Sequence, residues 1–245
     1  MDRYGPSTYG DRIASRYDET VPPWLPLDAV VDVLAGLAGD GPALELGIGT
    51  GRIALPLRAR GVDVHGIDAS EAMVDQLRAK PGGADIPVTI GDFADMPVEG
   101  EYTLVYVPWN TFFALTSQAA QRRCFMNVAR RLVPGGAFVI DVYVPRQGRW
   151  QGTGHLSPIR VELGEVEIEV SQHDAAAQTV TMQQLVIRPD GVTMVPAHMR
   201  YAWPSELDLM ARLAGLRLRD RWAGWDRAPF GPDSGGHVSV YERFS

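Results

Sequence analysis

The residues with the clearest chemical potential are Leu44-Glu45-Leu46-Gly47-Ile48-Gly49-Thr50-Gly51. An apolar run ends in three alternating glycines, and a helix-like segment follows. Without Cβ atoms, such a turn lets a ligand approach the backbone and aims free N–H groups at it. Taken alone, the glycines equally suit a tight strand-to-helix turn that binds nothing. Two acids shift the balance. Glu45 stands just before the first glycine, and Asp68 ends the next apolar run about 20 residues on, the spacing that brings a carboxylate to a ribose. Arg52 sits where the dinucleotide fingerprint G-x-G-x-x-G wants its third glycine. Paired carboxylates repel a pyrophosphate and suit a cationic or zwitterionic nucleoside. This speaks against NAD.

Such groups must be carried by strands and helices, and the hydrophobic periodicity supplies both. Asp28 is placed to cap a helix through Leu37, and Gly39, Gly41 and Pro42 stop it. Ala43 to Gly47 reads as a strand, Thr50 to Arg60 as a helix and Val62 to Ile67 as a strand. Ser70 to Lys80 is helical, Pro87 to Ile90 and Tyr102 to Val107 are strand-like, and Gln118 to Leu132 is helical. Pro134-Gly135-Gly136 turns the chain into a strand over Ala137 to Val144. Alternating strands and helices predict an α/β, Rossmann-like, doubly wound seven-stranded sheet.

After Pro145 the pattern changes. Glu165, Glu167 and Glu169 alternate with Val166, Ile168 and Val170, as in a half-buried antiparallel strand. Thr179 to Ile187 and Val192 to Trp203 continue an inserted antiparallel β meander, with a turn at Pro189-Asp190-Gly191. A helix through Leu213 and strands at Leu216 to Trp222 and His237 to Phe244 close the chain. The expected division is one domain over 1–245: an N-terminal helical segment or lid (1–40), a core (41–145), the insert (155–203) and a closing unit (204–245).

Composition sets the setting. The chain has 245 residues, 45% hydrophobic and 22% charged, with a net charge of −7, values ordinary for a globular protein. Acidity disfavours nucleic acid, which asks for a basic face. The arginines at 122, 123, 130 and 131 and at 217, 219 and 221 lie among acids at the phasing of solvated faces. The N-terminus is polar and charged, and no apolar stretch is long enough for a membrane span. The single Cys124 can form no internal disulfide and belongs to no metal-binding cluster, so no metal and a cytoplasmic location are expected.

Glu45-Leu46-Gly47-Ile48-Gly49-Thr50-Gly51, Gly66-Ile67-Asp68-Ala69-Ser70, Gly91-Asp92-Phe93 and Leu132-Val133-Pro134-Gly135-Gly136, in this order, resemble the class I S-adenosylmethionine (SAM) methyltransferases, small-molecule branch. The resemblance runs from Tyr9 to Phe244. It implies SAM as cofactor, S-adenosylhomocysteine (SAH) as product, and methyl transfer to O or N of a small molecule by direct displacement. It also implies that Glu45, Gly47, Gly49 and Gly51 face the methionine part and that Asp68, with Ala69 behind it, takes the ribose hydroxyls. Met73 would pack on the adenine, Asp92 hold its amino group and Phe93 flank its ring. Tyr9 and Tyr17 would close over the cofactor. Pro108 and Asn110 lie in the segment that faces the methyl group, where Asn110 orients a ligand or caps a turn. Two other readings share these marks: a SAM-binding enzyme that does not methylate, and a nucleotide-binding Rossmann-like oxidoreductase.

The acceptor side is less defined. Trp109, Phe112, Tyr143, Tyr201 and Trp225, with Trp150, Trp203, Trp222 and Phe230, can wall a pocket for a flat or apolar molecule. His155 and His237 are the candidate bases, whereas His65 falls in a core strand and His173 in a turn. A base is dispensable if the acceptor is an unprotonated amine. The insert offers a surface for a homodimer.

Overall fold

The computed structural model describes residues 4–20, 25–145 and 154–244. In chain order, α1 (Thr8–Ile13) leads through a 3₁₀ segment (Ala14–Thr20) to α2 (Leu27–Ala38). There follow β1 (Ala43–Leu46), α3 (Ala54–Ala59), β2 (Val64–Asp68), α4 (Glu71–Arg78), β3 (Val88–Ile90), β4 (Tyr102–Val107), α5 (Gln118–Arg131) and β5 (Leu132–Tyr143). The four strands β6 (His155–Glu162), β7 (Glu165–Asp174), β8 (Thr179–Arg188) and β9 (Gly191–Arg200) come next. The chain closes with α6 (Pro204–Leu213), β10 (Leu216–Trp222) and β11 (Gly236–Arg243).

The main sheet has seven strands in the order β10-β11-β5-β4-β1-β2-β3. β1 to β5 are parallel, and β11 runs antiparallel beside β5. All four residues of β1 are buried, as a strand covered on both faces requires. One apolar cluster, with Phe112, Phe125 and Phe138, fills one face of the sheet, and a second, with Leu34, Leu57 and Val64, fills the other. The strand order reverses between β1 and β4. Their adjacent ends open the crevice in which ligands of this architecture bind.

Several local expectations are corrected. The helix after the glycines starts at Ala54 and not Thr50, because Gly49 and Gly51 hold positive φ angles of 55° and 78°. Pro26 occupies the cap position of α2, and Asp28 lies in its first turn, where it still favours the helix dipole. Pro134-Gly135-Gly136 lies inside β5 as a kink. The insert has four strands, not three. β6 escaped the periodicity because nearly every residue of this edge strand is exposed, which leaves no alternation to read. His173 lies in β7 and not in a turn.

The insert sheet, ordered β6-β7-β8-β9, turns an unforeseen face inward. Val180, Met182 and Met199 pack against the cluster containing Phe112 and Phe113, and Val195 packs on the N-terminal segment. Cross-strand register puts Glu167, Glu169 and Ser171 on that same side. Glu167 is accordingly only 8% exposed, while Val170 on the opposite face is 38% exposed. Arg160 and Gln184 hold the Glu167 carboxylate. Among the described residues no helix is long and apolar enough to cross a membrane.

Candidate active site

The turn after β1 is held open by backbone conformation. Gly47, Gly49 and Gly51 have φ of 72°, 55° and 78°, a region that side-chain-bearing residues avoid. Gly47 and Ile48 both donate to the Ile67 carbonyl, fastening the turn to β2. Gly49 N–H donates to Asp68 Oδ2 at 2.8 Å, and Ser70 N–H donates to Oδ1 at 2.9 Å. Burial raises the Asp68 pKa, and these N–H groups, with that of Ala69, oppose the rise.

Glu45 is buried beneath the turn, where Tyr106 donates its hydroxyl to Oε2 at 3.0 Å. Burial pushes its pKa up to about 8; the Tyr106 hydrogen bond pulls it down, and the Asp68 charge raises it further. Asp92 Oδ1 accepts from Ala94 N–H at 2.8 Å, which fixes the loop after β3. Phe93 is buried beside Gly47.

The N-terminal segment lies on this site. Tyr9 and Tyr17 pack with Met73, Ile13 and Val195. Burial raises the pKa of both phenols, so they stay protonated. Asp11 accepts from Ser70 Oγ at 2.7 Å, and Asp18 accepts from Thr50 Oγ1 at 2.7 Å and pairs with Lys80 at 2.6 Å. Arg52 lies between the rings of Tyr17 and Trp109, at 4.4 and 5.2 Å from their centroids, and donates to the Tyr17 carbonyl. Sequence reading singled out Asp18 beside Tyr9 and Tyr17 but missed Asp11, Lys80, the partner role of Thr50 and this use of Arg52. One signal was available: Gly10, where a Cβ would come within 2.6 Å of Ser70 Cβ. Gly10→Val should therefore lift the segment, and trypsin should then cut at Arg12 and Arg16 several-fold faster than in the wild type. Unchanged protection would mean that the segment docks elsewhere.

Beyond β4, Trp109 and Asn110 both adopt left-handed conformations, with φ of 49° and 64°. Strain of this kind persists only where the surroundings enforce it. Here Asp141 enforces it: its carbonyl accepts Asn110 N–H, and its Oδ2 accepts Trp109 N–H at 3.3 Å and Trp225 Nε1–H at 2.9 Å. Asn110 Oδ1 accepts Tyr143 N–H at 2.7 Å, so this side chain ties the turn after Pro108 to the end of β5.

Four acceptor-side expectations need correction. Phe112 is fully buried against Phe125 and belongs to the core, so it presents no wall to a ligand. Trp225 is 7% exposed and committed to Asp141. Tyr201 is buried, with its hydroxyl 2.9 Å from His173 Nε2. His155 is exposed on β6, the edge of the insert sheet farthest from β9, the strand that meets the N-terminal segment. Trp109 and Tyr143 do flank the turn, with Tyr143 against Phe113. His237 is 1% exposed, and burial lowers its pKa to about 4. Trp150 lies outside the described residues.

Comparison with known proteins gives this arrangement a context. Residues 43–136 match the family model described as a methyltransferase domain. The chain is 30% identical to the cypemycin N-terminal methyltransferase of a Streptomyces species, over 97% of this chain and 98% of the relative. The CcbJ methyltransferase from Streptomyces caelestis is 39% identical, with a TM-score of 0.93 over 99% of this chain and 100% of that one. A SAM-bound amino pentose methyltransferase from Micromonospora echinaspora has the same fold, with a TM-score of 0.67 at 20% identity over 94% and 95% of the two chains. Similarity along nearly the whole of both chains makes this protein a member of the SAM-dependent methyltransferases, an enzyme whose cofactor is SAM.

Proposed function

We propose that the enzyme methylates an amine nitrogen of a small molecule or peptide. The observation that carries this reading is the placement of the two candidate bases. His237 has Nδ1 turned to Ser239 Oγ and a pKa lowered by burial to about 4, too weak a base to take a hydroxyl proton, and His155 is exposed on the far edge of the insert. A hydroxyl acceptor needs a group to take its proton, whereas an unprotonated amine attacks with its own lone pair. The name of the cypemycin relative, an N-terminal methyltransferase, supports the same choice.

When bound, SAM supplies an electrophilic methyl group on a sulfonium. The chain's own residues orient and enclose it. The backbone of Gly47 and Gly49 leaves room for the methionine part, Glu45 and Asp68 provide the negative charge that a cationic nucleoside favours, and Asp68 takes the ribose. Met73 and Phe93 border the adenine, and Asp92 receives its amino group. Tyr9, Tyr17 and Arg52 exclude water, while Pro108 and Asn110 set the turn on the acceptor side. With SAM bound, an amine held in line would form the C–N bond as the C–S bond breaks, and the methylated ammonium would give its proton to water. Alignment and desolvation carry the rate.

Calorimetry with SAH, and NAD as control, tests the cofactor site. We expect micromolar SAH binding, about −8 kcal/mol, and none for NAD. Asp68→Ala should weaken SAH by about 10- to 100-fold, a loss of about 1–3 kcal/mol. Unchanged affinity would place the ribose elsewhere. SAH production in the presence of paired amine and hydroxyl acceptors then tests the nitrogen reading, and turnover of hydroxyl acceptors alone would reject it.

We further propose that two copies pair through the outer face of the insert. Register aligns Leu156, Val170, Gln183 and Pro196, then Pro158, Ile168, Leu185 and Met194, then Val161, Val166, Ile187 and Val192. Leu156, Val161, Val192 and Met194 are each more than half exposed. Four strands over about five residues make a patch of roughly 19 by 17 Å, the size of the largest apolar patch on many monomers. Its near-uniform apolarity lets it pack on its own copy across a two-fold axis. Sedimentation should show a dimer that Val170→Glu splits; a wild-type monomer would reject the pairing. Work inside the cytoplasm is consistent with the buried, unpaired Cys124.

A further inference from the structure

β11 runs antiparallel to β5, so it begins at the same edge of the sheet as the glycine turn. His237 lies there opposite Val142, one residue before Tyr143. In the order β11-β5-β4-β1-β2, the glycine turn and Asp68 lie on one side of Asn110 and His237 on the other. A cofactor seated over β1 and β2 thus leaves the His237 side for the acceptor.

The ring is held by a polar chain. His237 Nδ1 is 2.8 Å from Ser239 Oγ, which accepts from Arg221 Nε at 2.8 Å. Arg221 is itself gripped by both oxygens of Asp208 and donates to the Tyr241 hydroxyl. Arginine only donates, so the Ser239 proton is free to go to Nδ1. Nδ1 then accepts, and the proton of the neutral ring sits on Nε2. Phe230 packs edge-on to the ring, with centroids 5.7 Å apart. Nε2 is buried and has no hydrogen-bond partner in the structure. An unpaired buried donor is costly to keep, and three side chains behind this one fix its direction.

We infer that His237 Nε2–H donates a hydrogen bond to an oxygen of the acceptor, which makes the acceptor an amine that also carries a carbonyl or carboxylate. The inference rests on the amine reading above and makes His237 a specificity-determining donor. In this tautomer Nε2 has no lone pair with which to take a proton.

The test uses the full chain, SAM and two probes in competition: L-alaninamide, and isopropylamine, in which a methyl group replaces the carboxamide. Comparing the preference between variants cancels the different basicities of the two amines. The wild type should prefer alaninamide, His237→Phe should lose about tenfold of that preference, and His237→Gln, which restores an N–H donor, should recover part of it. A preference that survives in His237→Phe, or equal use of both probes by the wild type, overturns the donor role. Turnover of hydroxyl acceptors with neither amine methylated rejects the amine reading and this inference together. Long-range ¹H–¹⁵N spectra give a readout independent of turnover. A neutral Nε2–H tautomer for His237 from pH 6 to 8 is expected, and an Nδ1–H tautomer or an imidazolium overturns the assignment.

Discussion

Gly49→Val should reduce SAH affinity by at least a hundredfold and leave a folded protein. At Gly49 the nearest atoms to an added Cβ, the Gly47 carbonyl oxygen and Tyr17 Cε1, are both 4.0 Å away. The protein itself has room there, so the side chain enters the space the ligand must use. The φ of 55° adds roughly 1–2 kcal/mol of strain for a residue with a side chain. Its neighbours behave differently. A Cβ at Gly47 would come within 2.6 Å of Thr111 Cγ2, and one at Gly51 within 2.3 Å of Leu77 Cδ1, so valine at either position should damage the fold itself. Thermal melts followed by circular dichroism, paired with calorimetry, separate the cases. A folded Gly49→Val protein that binds SAH normally would show that the cofactor does not approach the turn here.

The second large effect is a dependence on pH that Glu45→Gln should remove. With a pKa of about 8, the buried Glu45 carboxyl keeps its proton at neutral pH in the ligand-free enzyme. The raised pKa fixes the sign of the stability effect. The contribution is full below the ordinary carboxylate range and is lost as pH rises through about 8. The ligand-free wild type should therefore melt lower at pH 8.5 than at pH 6, and E45Q should lose much of that difference. Binding runs the other way. A cationic cofactor favours the ionised carboxylate, so SAM uptake releases a proton, and affinity rises with pH up to about 8 by as much as about tenfold per unit. E45Q should bind weakly at pH 8.5, by about a hundredfold. Calorimetry in two buffers of different ionisation enthalpy counts the proton directly. Equal heats in both buffers, for wild type and E45Q alike, would mean that Glu45 is remote from the cofactor's charge.

The glycine turn and the acid at the end of β2 were legible because each is a local feature. Positive φ favours glycine, and a strand must end where its loop begins. The fastening of the N-terminal segment was not legible, because Asp11 with Ser70 and Asp18 with Thr50 join residues far apart in the chain. Periodicity also reveals spacing without saying which side is inward. The glutamates of β7 alternate with valine and isoleucine as a half-buried strand should, yet the glutamates face the protein, with Arg160 and Gln184 around Glu167. The same ambiguity misplaced Phe112, an aromatic just after a strand that points into the core. His155 reads as a candidate base only because the edge strand that holds it carries no pattern by which to place it.

On the proposed reading, the docked N-terminal segment would govern traffic as well as enclosure. Exchange of spent for fresh cofactor would then require Asp11 to part from Ser70 and Asp18 from Thr50 and Lys80. The exposed Asp18–Lys80 pair is worth about 1 kcal/mol or less, so it would delay exchange without blocking it. The Asp18–Lys80 pair is weakened by dissolved ions, whereas a displacement inside a closed site hardly senses them. Ionic strength should then act as a throttle on cofactor exchange: modest salt is expected to shorten the residence of the spent cofactor, and low salt to lengthen it.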